Sequence, residues 1–495
     1  MNKNVLFILA DQFRWDCLGA AGNPVIQTPN LDHLAHEGVL FKNCVVQTNP
    51  CGPSRMCIYN SRYLCSTRAL TNETPLRDAE ENLGMHLQDA GYNPGLIGYN
   101  DYVRDPATLP HGHPQKTTPC YDNVLPGFDW ILFHDEYTSP QYLQWLREKG
   151  YPEGILDRIR ISLPDVPPEG PGEHLPLCFP AHYKAEDSEA RFVTGIATDW
   201  ISRRKGNGWF LSLNYIKPHS PRICPSPYHD MYAPRRMPEA NRRPGELEKP
   251  HPYYQLMAAE KQLENDSHLR ETRANYYGMI SELDACLGTL FEFLKTSGEW
   301  DHTLIVFSSD HGDYLGDHYL LDKAHFFDET MHVPLIVRDP SPEADGTRGT
   351  QLEGLVESID IAPTLLDFLG RPKPDRFQGS SLLPAVRQAV PWRGKESIHF
   401  EADFRTRSTV PPGLHPDECL FWVIRDHQYK YVQFASPAMP PLLFDLQKDP
   451  GEFDNQADNP GNSAIVADYC QQMLRWRMRF EDQRMEHWAA NHRRR

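Results

Sequence analysis

Four short, nearly continuous apolar runs, each closed by polar or charged residues, constrain this chain more than any other feature. Val5–Ala10 stops at Asp11, and Leu96–Tyr99 leads to Asn100-Asp101. Trp209–Leu213 runs on to Lys217-Pro218-His219, and Leu304–Phe307 ends in Ser309-Asp310-His311-Gly312-Asp313. A strand without polar alternation has both faces covered, as in a parallel sheet between two layers of helices. Helical segments lie between these runs. Thr28-Pro29 caps a helix over Asn30–Glu37 that Gly38 closes, and Leu83–Ala90 is stopped by Gly91. Met279, Leu283, Leu287, Leu290 and Leu294 recur at helical spacing, and Pro334–Val337 is a further strand. Strands alternating with helices predict an α/β fold with a doubly wound, mainly parallel sheet. Such sheets bind ligands at the carboxyl ends of their strands, where Asp11, Tyr99, His219 and Asp310 all fall.

The texture changes near residue 390. Ser397–Phe400, Phe421–Arg425 and Tyr429–Phe434 read as antiparallel strands, followed by a helix near 462–485 and a solvated, disordered basic tail, Arg493–Arg495. This divides the chain into a catalytic domain, 1–390, and a smaller C-terminal α+β subdomain, 391–495. The Pro-, Gly- and His-rich stretch 104–190 is expected to make excursions over the active face. The Pro- and Arg-rich stretch 217–251 is expected to be an insertion or an oligomer contact arm.

A formal net charge of −17 argues against nucleic-acid and anionic-membrane partners, so any anion site must carry its own cations. No export signal or membrane span is expected, because the first apolar run is too short for either. Eleven cysteines without paired spacing argue against a disulfide framework, and a reducing cytoplasm fits best.

One of those cysteines stands in Cys51-Gly52-Pro53-Ser54-Arg55. A lone cysteine is as a rule an inert small hydrophobe. Here Pro53 suits the first turn of a helix, which would set Cys51 at an N-terminus where free N–H groups favour an anion. Arg55 would project nearby and offer a guanidinium fork to a tetrahedral oxyanion. Asp11-Gln12 and Asp310-His311 end adjacent strands, and a carboxylate, an amide and an imidazole converging there make a divalent-metal site. Separately, each Asp also reads as a helix cap and His311 as a partner for a backbone carbonyl; beside a candidate nucleophile the metal reading prevails. Mixed O and N ligands suit Ca2+ or Mn2+, with Mg2+ or Zn2+ also accommodated.

Residues 51–55 resemble the sulfatase signature Cys-x-Pro-Ser-Arg. Asn4–Gln12 resembles the first strand and metal turn of the sulfatase branch of the alkaline-phosphatase superfamily, and Ser309–Asp313 with Gly316-Asp317-His318 its second metal turn. Lys217–Pro221, Leu321-Asp322-Lys323, Ser358–Thr364, Phe444–Leu446 and Asp449-Pro450 extend the resemblance over nearly the whole chain. Gly52 and Gly98-Tyr99 most resemble the phosphonate monoester hydrolases and their arylsulfatase relatives. The resemblance implies that Cys51 is oxidised to formylglycine by a formylglycine-generating enzyme, and that its hydrate is both nucleophile and metal ligand. Asp11, Gln12, Asp310 and His311 would hold one ion, and Arg55 would orient and screen the diol. Lys323 and His219 would meet the substrate oxyanion and serve the leaving oxygen, while Asn72 and Tyr99 would line the pocket. Lys217 is left out, since strand alternation aims it elsewhere. Assembly as a homodimer or homotetramer is implied by the fold resemblance alone.

Two positions depart from the pattern. Typical sulfatases place a Lys and a His where this chain has Tyr99 and Asp101. Asp101 reads as a base for diol breakdown, as a group that meets a cationic substrate, or as a loop cap. The family's usual Thr-Gly is here Tyr59-Asn60. The leading expectation is metal-dependent hydrolysis of sulfate monoesters, with small phosphonate monoesters or phosphodiesters as the close alternative. A phosphomutase or transferase would use Ser or Thr with two metals, and a binding module would keep Cys51 as a thiol.

Overall fold

Both faces of the strand Asn4–Ala10 (β1) are buried, as its unbroken apolar run requires. In the computed structural model, residues 3–118, 120, 123–135, 139–153, 180–387, 392–405, 410–411 and 413–481 are described. Val5, Phe7 and Leu9 enter one core, and Leu6, Ile8 and Ala10 enter another on the opposite face. The second core contains Leu283, Leu287, Leu290 and Leu294 from the long helix Asp266–Ser297, the amphipathic helix that the spacing predicts.

The remaining strands of the large sheet are β2 (Val39–Val45), β3 (Gly95–Gly98), β4 (Asp129–Phe133), β5 (Phe210–Tyr215), β6 (Thr303–Ser309), β7 (His332–Arg338) and β8 (Thr350–Glu357). Their order is β4-β3-β5-β1-β6-β7-β2-β8. The stretch from β4 to β6 is parallel throughout, and β7 runs antiparallel to both its neighbours. The expected doubly wound, mainly parallel sheet is therefore present. The strands β2, β4 and β8 are not expected from the sequence, for a shared reason: their apolar runs are broken. Lys42-Asn43 interrupts β2 where its register shifts, and β4 and β8 are edge strands with exposed polar positions.

The helix α1 (Pro29–Glu37) starts after Thr28, but the Thr28 hydroxyl donates to Asp32 instead of capping the helix. The helix α2 (Cys51–Asn60) follows β2, and Leu83–Asp89 forms the helix expected before β3. Within 104–190 the structure contains β4 and the helix Pro140–Glu148; part of that stretch, including 154–179, lies outside the described residues. Residues 217–251 fold back along this chain's own long helix. Arg270 and Arg273 donate to backbone carbonyls of Met237, Pro238 and Glu239. Gly278 is required there, because a Cβ on it would stand 2.4 Å from the Tyr228 carbonyl oxygen.

The C-terminal strands β9 (Ile398–Asp403), β10 (Leu420–Arg425), β11 (Tyr429–Phe434) and β12 (Leu442–Asp445) form an antiparallel sheet in the order β12-β11-β10-β9. Phe400, Phe421 and Val432 of this sheet join the same core as Val5 and Phe7. The helix Ser463–Phe480 closes the described chain, and Trp476 packs with Tyr63, Leu64 and Cys57 beside α2. The expected boundary at 390 and the basic tail lie outside the described residues, and the last helix ends at Phe480, with Glu481 extended, short of the expected 485.

Candidate active site

The central order β3-β5-β1-β6 brings four strand ends together, and each contributes a polar group just beyond its last residue. Asp11 follows β1, Asp310 and His311 follow β6, Tyr99 follows β3, and His219 lies beyond β5. From the other side α2 presents Cys51 as its first residue.

Around Cys51 the contacts are short. Its Sγ lies 3.3 Å from His311 Nε2, 3.9 Å from Asp11 Oδ1 and 3.1 Å from Lys323 Nζ. Asp11, Cys51, Asp310 and His311 are all buried, and one ligand atom from each falls within 4.8 Å of the others. His311 Nδ1 donates to the Gly312 carbonyl at 2.8 Å, which leaves the Nε2 lone pair facing this centre. Gln12 adopts φ 67°, its N–H donates to Asp310 Oδ1, and its Oε1 lies 3.4 Å from Lys323 Nζ. Two carboxylates, one imidazole with a free lone pair and an amide oxygen fit a divalent cation.

Arg55 has no exposed surface. Its Nε donates to Asp310 Oδ2 at 2.8 Å, its Nη2 to Asp11 Oδ2 at 3.0 Å, and its Nη1 to the Tyr99 carbonyl at 2.8 Å. The guanidinium fork expected to meet an oxyanion is thus spent on the two carboxylates, so Arg55 works from behind them. The helix terminus differs from expectation in the same way. The Gly52 N–H donates to Asn72 Oδ1 at 3.0 Å, so Asn72 caps α2 and has only its Nδ2 donors left to face a ligand. Tyr99 donates its hydroxyl to Asp11 Oδ2 and stacks its ring under Arg55, 4.1 Å from Cζ. Asp101 Oδ2 lies 3.7 Å from Arg55 Nε.

Lys323 Nζ donates to His219 Nε2 at 2.7 Å, and His219 Nδ1 donates to the Ser220 carbonyl at 2.8 Å. Lys217 lies two residues beyond the end of β5, so strand alternation does not apply to it; its side chain enters a buried ion pair with Glu282. Burial works to raise the Asp11 carboxyl, but His219, Arg55, Lys323 and His311 together hold it well below its ordinary value. Burial, reinforced by Asp11, pushes the Cys51 thiol well above its ordinary value, while Lys323 opposes this. Burial also lowers His311, against the opposing carboxylates of Asp310 and Asp11.

Sequence reasoning missed the layer behind Gln12. Arg222 Nη2 donates to Asp313 Oδ2 at 2.5 Å and to Asp322 Oδ1 at 2.6 Å, and both carboxylates accept from Gln12 Nε2. This fixes the amide with its oxygen toward Lys323. Arg14 and Arg273 clamp Asp317, at 2.6 and 2.5 Å, in the loop between Asp310 and Lys323. In that loop Leu315, His318, Tyr319 and Asp322 take φ values of 48°, 51°, 60° and 63°. Non-glycine residues keep such angles only where surrounding contacts over-determine them. Asp313, Asp317 and Asp322 lie in segments that resemble the family, but nothing local assigns them a task, and Arg14, Arg222 and Arg273 stand in no motif. Tyr59, at a departing position, is core: its hydroxyl bonds to Ser212 and Asn214.

Comparisons with known proteins agree with this geometry. A family profile described as Sulfatase matches residues 3–371, and one described as N-sulphoglucosamine sulphohydrolase, C-terminal, matches residues 316–479. The chain is similar to the multifunctional alkaline phosphatase superfamily protein PehA of Trinickia caryophylli, at 36% identity over 99% of this chain and 98% of that one. It is 29% identical to an arylsulfatase of Clostridium perfringens, over 96% of this chain and 94% of the relative. The crystal structure of a phosphonate monoester hydrolase of Agrobacterium radiobacter superposes with a TM-score of 0.89 at 35% identity, covering 97% of this chain and 96% of that one.

Proposed function

Because this chain belongs to the sulfatase family, we propose that it hydrolyses monoanionic tetrahedral esters, sulfate monoesters and phosphonate monoesters, at the centre formed by Asp11, Cys51, Asp310 and His311. The observation that carries this reading is the set of cationic and metal-donor groups around Cys51: Lys323 Nζ at 3.1 Å, Arg55 behind Asp11 and Asp310, and a buried donor set for one divalent ion. In a chain of net charge −17 this is a local exception, and it suits the negative charge on the transferring group of a sulfate or phosphonate monoester. The similarities to an arylsulfatase and to a phosphonate monoester hydrolase support both ester classes.

Asp11, Gln12, Asp310, His311 and position 51 would hold the ion, which when bound supplies charge neutralisation and acidifies an adjacent hydroxyl. A Ca2+ or Mn2+ ion suits this oxygen-rich set. We read Cys51 as converted to formylglycine, whose hydrate supplies a hydroxyl nucleophile and a route to release the bound oxyanion. The buried, protonated thiol supports this, since it is a poor nucleophile as it stands. Arg55 holds the carboxylates of Asp11 and Asp310 in place. Lys323, 3.1 Å from Sγ, meets the substrate oxyanion, and the pair Lys323–His219 holds a proton at 2.7 Å for the leaving oxygen. The ten described cysteines are all unpaired, which supports a reducing compartment. Among the described residues no helix is long and apolar enough to cross a membrane.

The test is kcat/KM of the metal-loaded protein on an aryl sulfate and an aryl phenylphosphonate, with peptide mass spectrometry at Cys51. Turnover of at least one ester is expected, with an aldehyde or its hydrate at position 51 and a loss of about a thousandfold or more in Cys51→Ala. Full activity from an unmodified thiol, or no turnover of either ester, would overturn the reading.

A further inference from the structure

The two ends of a glutamine amide are nearly the same size, so its surroundings decide which of them faces a site. Only the oxygen can serve a divalent ion. For Gln12 those surroundings are Asp313, Asp322 and Arg222. Its Nε2 donates to Asp313 Oδ2 at 2.7 Å and to Asp322 Oδ1 at 3.3 Å. Arg222, buried on the loop that follows β5, donates its Nη2 to the same two oxygens. Its Nε adds a bond to Asp313 Oδ2 at 3.2 Å. Other bonds already do the rest of the work in this layer. Asp313 Oδ1 accepts from the backbone N–H groups of Leu315 and Asp322, and the Tyr314 N–H donates to the Asp322 carbonyl, so the loop closes on itself. The backbone of Gln12 is held by Asp310 Oδ1 at its N–H and by the Tyr276 hydroxyl at its carbonyl. What is left to Arg222 is to keep together the two carboxylate oxygens that read the Gln12 amide.

We propose that Arg222 is a positioning residue for the metal centre: by clamping Asp313 Oδ2 and Asp322 Oδ1 onto Gln12 Nε2, it presents Gln12 Oε1 to the ion. This rests on the metal centre proposed above and names what makes an amide serviceable there. Without the guanidinium fork, two carboxylates that share one amide repel each other, separate and release the amide to turn. Losing an outer contact of this kind weakens metal binding about 10–100-fold. Charge alone predicts the reverse. Removing a cation from behind the donor set would strengthen the binding of a divalent ion by simple Coulomb attraction. The sign of the change therefore separates an orienting role from a purely electrostatic one.

The experiment titrates Mn2+ into the full-length, chelator-treated protein and reads Kd by calorimetry and by the electron paramagnetic resonance signal of free Mn2+. Kd is expected to rise about tenfold or more in Arg222→Gln. Arg222→Lys keeps the charge but lacks the fork, so Kd is expected to rise there as well. Thermal unfolding establishes that each variant is folded, and Arg222→Lys decides the question alone where Arg222→Gln does not fold. In a Gln12→Ala background the same substitution is expected to leave Kd within about twofold or to lower it, because the amide that it orients is gone. An unchanged or lower Kd with Gln12 intact overturns the inference, as does an equally large rise in the Gln12→Ala background. The wild type separates this inference from the function it rests on. If it binds no Mn2+, the metal centre of the proposed function fails; if it binds Mn2+ and Kd ignores position 222, only the inference about Arg222 fails.

Discussion

Two histidines, His311 at the strand ends and His399 in the C-terminal sheet, are both buried and both held below their ordinary pKa, for different purposes. His311 has Nδ1 tied to the Gly312 carbonyl and Nε2 directed at Cys51 and Asp11. His399 stacks on Trp476 at 4.2 Å, and its Nδ1 has no hydrogen-bond partner. Around His311, charge is kept in the interior by reciprocal pairing of Arg55 with Asp11 and Asp310. Around His399, the rings of Tyr63, Trp422, Trp476 and Phe480 pack together and fasten the last helix against the segment that follows α2, while the nearby ions Lys395 and Glu357 pair with each other. One region holds ionised groups ready for a ligand; the other provides stability.

The contrast is broken most severely at Asp310. Asp310→Asn removes a candidate metal ligand and leaves Arg55 with one fewer counter-charge. We expect hydrolysis to be lost, metal-induced protection against thermal unfolding to disappear, and stability to fall by about 3–5 kcal/mol. Retained metal protection in this variant would show that the ion is held elsewhere. Trp476→Ala acts on the other region. It should lower stability by a similar ~3–5 kcal/mol, measured by denaturant unfolding, while kcat/KM per folded molecule changes only a few-fold. A collapse of kcat/KM in the folded variant would mean that the two regions are not separable.

The smallest effect comes from pH. Burial, with a lesser contribution from Lys395, takes His399 from 6.5 down to about 3. The unfolded chain therefore binds this proton first as pH falls. The stability that neutral His399 contributes is complete above about pH 6.5 and declines as pH drops toward 3. Wild type should lose unfolding midpoint between pH 7 and about 4 more steeply than His399→Gln, although the variant starts lower. Parallel slopes would place the acid sensitivity on other groups.

Much of the fold was legible because β1, β5, β6 and the long helix are mainly apolar where packing covers them. The strands β2, β4 and β8 were not, since Lys42-Asn43 and the exposed edge positions give local patterns indistinguishable from loops. Within the site, Asp11, Gln12, Asp310 and His311 could be read because each directly follows a recognisable strand. Arg222, Asp313 and Asp322 could not be assigned a task, because their meaning lies in a triangle around the Gln12 amide that forms only after β1, β5 and β6 have paired. Arg55 was placed correctly in the chain, but the direction of its fork depended on which carboxylates the fold delivered to it.

The sequence by itself determined the layered α/β architecture, the helix that begins at Cys51 and the strand ends that carry acids and imidazoles, because these follow from short-range periodicity and from which residues can start or stop an element. Only the tertiary structure decided that Arg55 and Asn72 face protein groups and that a strained loop delivers Lys323 to Cys51. Those arrangements depend on polar and charged groups from separate segments of the chain meeting in an interior where water no longer screens them.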